Sequence, residues 1–454
     1  MVYIWAGRKI TSMKKIVLIV IMLRLVLLAQ AQAPQKMDEL MNAYAELGKF
    51  NGTILVAAKD SVVLQKGYGY RDFAGKLPND ANTVYQIASV TKTFTATLVL
   101  KLVELKKLLL SDRLSRFYPN FPKADSVTIE QLLSHTSGIV DDFADTTDRK
   151  LKGTPEDKFV AALARRKFGF SPGTGWRYSN SGYILLGYII QQLTGLDYFA
   201  AVRKYIFTPL HMRHSGFDFT GGSDRDKATG YWTFPASDTV QPATLIDSSG
   251  PRAAGGMFAT AGDLYQWHRA LQTGTIVSRS LLEQAYSPVR NHYGYGWIVD
   301  SVAGAKVVSH SGDIWGFKAE FTRVPGDDIC IVLLSNIEDE DLNSIARKIL
   351  AIAYRQPYQL PAKNRVRLDP SILEQYTGAY TIRPGDTIRV TTENGHLLST
   401  TGRKQELYAQ EENLFLIDDG REQLSVTFEK GPSGEITGLS FKNHGQKTTC
   451  KKVR

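Results

Sequence analysis

Gln86-Ile-Ala-Ser-Val-Thr-Lys-Thr-Phe-Thr-Ala-Thr-Leu-Val-Leu100 sets a hydroxyl, Ser89, and an amine, Lys92, three residues apart at the opening of an apolar run. Phe94, Leu98, Val99, Leu102, Val103 and Leu105 recur at helical spacing, which predicts a buried helix. Residues three apart share a helix face, so the Lys92 ammonium is expected beside the Ser89 hydroxyl. A serine hydroxyl is a weak nucleophile until a neighbour takes its proton. A lysine held away from water drops its pKa far enough to do so. The helix start adds partial positive charge where a tetrahedral oxyanion forms. The pattern alone is cheap: Ser12 and Lys15 repeat it, and a helix-capping serine beside a solvated lysine is the plain alternative.

Upstream, Met13-Lys-Lys-Ile-Val-Leu-Ile-Val-Ile-Met-Leu-Arg-Leu-Val-Leu-Leu-Ala-Gln-Ala31 has the basic start, apolar run and Ala-Gln-Ala ending of a signal peptide. The expectation is a mature chain beginning near Gln32, in the periplasm or outside the cell, with residues 1–12 an extension from an earlier start codon. Arg24 interrupts the apolar run and leaves an uncleaved membrane anchor as the alternative, although the run is short for a bilayer span. Removing residues 1–31 takes away five basic residues and no acid, lowering the formal charge from +10 to +5. With no clustered basic stripe, that excess argues against a nucleic-acid partner.

A length of 454 residues suggests two domains, and 43% hydrophobic with 22% charged residues is a globular composition. Gly52–Ala58 and Ser61–Tyr70 read as a strand hairpin, 36–48 as a helix. Thr128-Ile-Glu-Gln131 reads as a capping box opening a helix that stops at Gly138. Tyr183–Leu193 is a further buried helix, and Thr260 caps one carrying Leu264, Trp267 and Leu271. Strands are expected at Tyr293–Val302, Lys306–Ser309, Phe317–Val324 and Ile329–Ser335, with a closing helix at Asp341–Tyr354. Strands first, helices in the middle, strands and a helix last predict an α+β fold, its antiparallel sheet joining both ends around a helical insert. Gln356-Pro-Tyr-Gln-Leu-Pro361 reads as a linker, dividing a domain of residues 34–357 from one of 365–454. Short alternating strands beyond it predict a small all-β meander or barrel.

Two further elements bear on Ser89. Tyr178-Ser-Asn180 opens the buried helix. A nearby cation would stabilise the Tyr178 phenolate, letting it pass protons to a leaving group, while Asn180 binds a substrate carbonyl or orients Lys92. A core tyrosine and a helix cap are the plain alternative; Tyr118 and Asn120 repeat the spacing. His310-Ser-Gly312 ends a strand, where Gly312 allows close approach and the N–H of Asp313 can face an oxyanion. Gly255-Gly-Met257 shapes a loop at the cleft. The histidines show no metal-ligand spacing beyond His211 and His214, read as incidental, and neither metal nor organic cofactor is expected. Cys330 serves as a small hydrophobe in an apolar run, and no pairing with Cys450 can be argued.

From about residue 40 to 355 these elements resemble, in order, the penicillin-binding-protein-like serine hydrolases related to class C β-lactamases. The resemblance rests on Ser89-Val-Thr-Lys92, Leu132-Leu-Ser-His-Thr-Ser-Gly-Ile139, Tyr178-Ser-Asn180, Gly255-Gly-Met-Phe-Ala-Thr260, Tyr295-Gly-Trp297 and His310-Ser-Gly312. It implies an acyl-enzyme on Ser89, with Lys92 and Tyr178 as acid and base and the N–H groups of Ser89 and Asp313 as oxyanion hole. Asn180, His310, Gly312 and Asp313 would form the substrate side. His310, where class C β-lactamases have Lys, is similar to DD-peptidases and D-aminopeptidases, so a small peptide, with D-residues or as peptidoglycan fragments, or an ester ranks above a β-lactam. The rivals are a class C type β-lactamase and a non-catalytic descendant that binds peptidoglycan or a protein. A C-terminal domain that is itself the main binding element is a further alternative. Beyond Tyr376-Thr-Gly-Ala-Tyr380 the chain resembles lipocalin-like domains attached to some of these peptidases.

Overall fold

The structure, a computed structural model, describes residues 32–141, 154–221, 226–234, 239–337, 341–361, 368–383, 386–393, 395–400, 404–418, 423–443 and 446–453. The expected signal segment lies outside the described residues. The main sheet is six-stranded and antiparallel, in the order Ser61–Tyr68, Gly52–Ala58, Ile329–Ser335, Phe317–Val324, Ala305–Ile314, Ile298–Val302. The pairing of Gly52 with Ser335 through Ala58 with Ile329 joins the two ends of the α+β fold, as the sequence order implied.

These two central strands are buried along nearly their whole length, so they read as unbroken apolar runs. Alternation divides them between two cores. Leu55, Ala57, Cys330, Val332 and Leu334 face the helical insert. Ile54, Val56, Ile331 and Leu333 face the terminal helices at 32–46 and Leu342–Ala353.

The insert carries the helix Thr91–Glu104, against which Trp267 stacks on Phe94 with ring centroids 4.3 Å apart. The Thr128–Gln131 capping box forms on both sides. Its helix ends at Leu133 rather than at Gly138, because His135, not the glycine, takes the first left-handed conformation, φ +61°. Three helices at Glu156–Ala164, Tyr198–Val202 and Arg279–Ala285 carried no expectation.

Beyond the linker, eight strands from Gly378 to Val453 form a closed antiparallel barrel, the first pairing with the last. Closure is what removes exposed edges from a small meander. Tyr376, Tyr380, Phe415 and Phe428 fill part of its interior.

Candidate active site

Ser89 lies in a single 3-10 turn, Ala88–Val90, and Lys92 in the first turn of the helix that follows. Lys92 is fully buried, 0% exposed, and its ammonium makes three bonds. It donates to Ser89 Oγ at 2.9 Å, to Asn180 Oδ1 at 2.8 Å and to the carbonyl of Ala254 at 2.6 Å. Three directed acceptors fix an ammonium that would otherwise rotate freely. Ser89 caps nothing, which disposes of the capping alternative.

Burial pushes the Lys92 pKa from its ordinary 10.5 down to about 7, with the nearby Asp141 carboxylate pulling upward. A neutral amine is therefore within reach near neutrality. Lys92 Nζ stands 4.8 Å from the centroid of the Tyr178 ring. Contrary to the expected stabilised phenolate, burial outweighs the hydrogen bond to Ser89 and pushes the phenol's pKa up. The cation lies over the ring, and the partner that would ease ionisation is the serine. Tyr178 thus stays protonated at neutral pH, and Lys92 is the buried group whose neutral form is in reach.

Asn180 is oriented from behind. Its Nδ2 donates to Asp141 Oδ2 at 3.1 Å, which leaves Oδ1 as the acceptor for Lys92. Asp141 Oδ1 also receives the N–H of Ser181 at 2.9 Å and the hydroxyl of Ser179 at 3.2 Å. One carboxylate therefore ties down the start of the Asn180–Thr194 helix. No motif pointed to Asp141; the expected signal is only an acid shortly after His135-Thr-Ser-Gly138.

His310 departs from expectation. It is 2% exposed, its Nε2 meets the hydroxyl of Tyr293 at 2.9 Å, and its Nδ1 meets the Ser311 carbonyl at 2.7 Å. A carbonyl only accepts, so Nδ1 carries the proton and Nε2 accepts from Tyr293. Burial, with the Lys92 charge, lowers its pKa to about 3. The ring is neutral and committed to protein partners, so it does not line the cleft. The reason is strand alternation, which turns Ser311 and Asp313 outward and His310 and Gly312 inward.

Gly312 permits a close approach, though by protein: a Cβ there would stand 2.2 Å from the Ile87 carbonyl oxygen. The strand pairs with Ile298–Val302 only as far as Ser309, and the Ser89 turn packs beside the remainder. Asp313 opens into a cleft of about 190 Å³ shared with Ser89, Asn180, Ile246, Ala254 and Ile314. The Gly255 segment lines the same cleft, and its neighbour Ala254 supplies a Lys92 acceptor.

Sequence reading also missed His135. Its ring lies 4.3 Å from that of Tyr178, 5.1 Å from Tyr183 and 4.6 Å from Tyr293, and its Nδ1 accepts the Ser179 N–H at 3.1 Å. It forms the floor under Tyr178.

A family model described as Beta-lactamase matches residues 35–354, and one described as a domain of unknown function, DUF3471, matches 362–452. Penicillin-binding protein 4* of Bacillus subtilis (strain 168) is 30% identical over 410 residues, covering 84% of this chain and 91% of its own. Among solved structures, the octameric penicillin-binding protein homologue from Pyrococcus abyssi superposes with a TM-score of 0.67 at 25% identity. That match covers 92% of this chain and 99% of the other. The D-amino acid amidase of Ochrobactrum anthropi SV3, complexed with L-phenylalanine amide, gives 0.62 at 25% identity, over 72% and 99%.

Proposed function

The chain belongs to the β-lactamase family of penicillin-binding-protein-like serine hydrolases, and we propose that it cleaves small amides or peptides bearing a free amine through an acyl-enzyme on Ser89. The observation that carries this reading is the buried Lys92 ammonium held at once by Ser89, Asn180 and the Ala254 carbonyl. In its neutral form Lys92 takes the Ser89 proton as the hydroxyl attacks the acyl carbon. The tetrahedral oxyanion is met by the N–H groups of Ser89 and Asp313. Lys92, with the Tyr178 hydroxyl as relay, returns the proton to the leaving amine, and water then repeats the sequence to free the acid.

The substrate class follows from charge. Among the described residues lining the cleft, Asp313 carries the one acidic side chain, and it stands across the strand pair from Lys318. A carboxylate beside the acyl site favours a cationic amine and repels the carboxylate of a β-lactam. With His310 neutral and withdrawn, no group at the third motif offsets that repulsion. The D-amino acid amidase likeness supports an amino-acyl substrate, with D-residues or peptidoglycan fragments as the natural range. An exported protein, processed after Ala31, is part of the same proposal.

Intact-mass measurement after a fluorophosphonate probe tests the acyl-enzyme: one adduct on the wild type and none on folded Ser89→Ala is expected. Comparing aminoacyl p-nitroanilides with their N-acetylated forms tests the amine. A preference for the acetylated forms, or equal KM values, would overturn the substrate class while leaving the chemistry intact.

A further inference from the structure

The turn that supplies the Ala254 carbonyl is strained and anchored at the same residue. Arg252 opens the single helical turn Arg252–Gly255 with φ at +39°, in the left-handed region that L side chains disfavour. Such outliers persist only where the surroundings over-determine them. Here the surroundings are a clamp on the side chain. Its Nη2 donates to Gln191 Oε1 at 2.8 Å, and its guanidinium carbon lies 5.0 Å from the Tyr188 ring centroid and 5.6 Å from that of Phe199. Gln191 Oε1 is itself fixed, accepting the Tyr198 N–H at 3.1 Å. A guanidinium stacks on rings and holds its donors in a rigid fork at once, which a flexible ammonium does not.

The turn reaches Lys92 through consecutive carbonyls. Ala253 accepts from Thr95 Oγ1 at 2.6 Å and Ala254 from Lys92 Nζ at 2.6 Å. Lys92 and Thr95 stand three apart, so both carbonyls are aimed at one face of the Thr91–Glu104 helix. On its other side the turn lies flush on the Asn180–Thr194 helix, where a Cβ on Gly187 would come within 2.6 Å of the Ala253 Cβ. Relief of the strain at Arg252 means rotation about its backbone, and that rotation swings both carbonyls. Lys92 would then keep Ser89 and Asn180 as acceptors and lose the third. A glycine accepts the same φ without strain, but it has no side chain to set where the turn stops. The titratable groups facing Lys92 from the surrounding elements are Asp141, Tyr178, Tyr183, His135 and His310. Arg252 directs its charge to Gln191 and the two rings, so it acts on Lys92 through Ala254.

We propose that Arg252 is a positioning residue for the hydrolysis: its guanidinium, clamped by Gln191, Tyr188 and Phe199, holds the strained turn whose Ala254 carbonyl fixes the Lys92 ammonium. The inference rests on the reading of Lys92 as the base and adds the group that aims it.

Activated-ester turnover of the full chain, as kcat/KM from about pH 5 to about pH 9, reads this out. Arg252→Ala keeps the backbone strain and removes the clamp. It should lower the plateau about tenfold or more, as a misplaced catalytic group does. It should also move the acid limb to lower pH, because losing a carbonyl acceptor disfavours the ammonium. Arg252→Gly relieves the strain as well, so it should melt at or above Arg252→Ala yet show the same loss and the same limb. Arg252→Lys keeps a cation over the rings and should recover part of the plateau. Gln191→Ala should move the limb the same way, and adding it to Arg252→Ala should cost little more. An arginine that only stabilised the fold would lower the folded fraction and leave the limb in place. An unmoved limb in folded Arg252→Ala, or wild-type turnover in Arg252→Gly, would overturn the proposal while Ser89 and Lys92 keep their roles. Should Arg252→Ala fail to fold, the limb of Gln191→Ala decides in its place. A wild type with no acid limb would overturn both this inference and the reading of Lys92 beneath it.

Discussion

At the scale of single residues, the site turns on where Lys92 keeps its proton. Burial lowers its pKa to about 7, so the neutral base becomes available as pH rises through that value. Activated-ester turnover, as kcat/KM, should climb on an acid limb centred near 7, and Ser89→Ala should lose several orders of magnitude. A flat profile from about pH 6 to about pH 8 would sink Lys92 as the base. Asp141 raises the Lys92 pKa and orients Asn180. Asp141→Ala should therefore move the limb to lower pH and cut kcat about tenfold or more, as a misplaced catalytic group does. A purely structural acid would lower the folded fraction and leave the limb where it was. The pairing of Ser89 with Lys92 was legible because a spacing of three survives in any helix. Asp141 was not, since its partners Asn180 and Ser181 lie about forty residues along the chain and only the fold unites them.

At the scale of elements, sequence periodicity located the central strands and the Ser89 helix well, because each is apolar on more than one side. It could not tell which face of Ala305–Ile314 meets the cleft, and so assigned His310 to substrate when the pleat turns it inward. That misreading changes the pH argument. His310 and His268 are held neutral with pKa values near about 3, and His135 is lowered as well, each mainly by burial. Unfolded, these three rings take up protons below about 6.5. Folded, they do not, so the unfolded state binds more protons and stability must fall as pH drops from about 6.5 toward 3. Glu320, buried with its pKa raised from 4.5 to about 7, opposes this between those two values. There it is the folded state that holds the extra proton. Lys92, depressed by burial, acts with the three histidines, and Asp263, raised by burial, acts with Glu320; four depressed bases against two raised acids give the sign, so the urea midpoint should be lower near pH 5 than near pH 7.5. Glu320→Gln should steepen the fall, and a midpoint that rises on acidification would refute the assignment of neutral rings.

At the scale of the whole molecule, the change of texture after Pro361 was visible and left a meander or a barrel open, a choice made by the long-range pairing of Ala379 with Val453. The proposed export predicts an N-terminus near Gln32, which sequencing of the secreted protein would check; finding residues 1–12 attached would refute it. The proposed division into two domains makes a sharper prediction. The two cores of the hydrolase part draw on described residues from Ala33 to Leu360, and the barrel core on residues from Leu368 to Cys450, with none shared. Tyr358 and Leu360 pack against the second hydrolase core, so the cut must follow Pro361 and not fall inside the linker. Among the described residues the cut separates Lys49 Nζ from the Tyr408 ring, 4.4 Å from its centroid; with Lys49 buried at 5% exposure, that contact contributes about 2 kcal/mol. That is small beside a typical domain stability of about 5–15 kcal/mol. A chain ending at Pro361 should therefore fold, melt within a few degrees of the matching transition in the full chain, and form the fluorophosphonate adduct at Ser89 at an unchanged rate. Folding without acylation would mean that the barrel completes the active site, and failure to fold would mean that the two cores are energetically one.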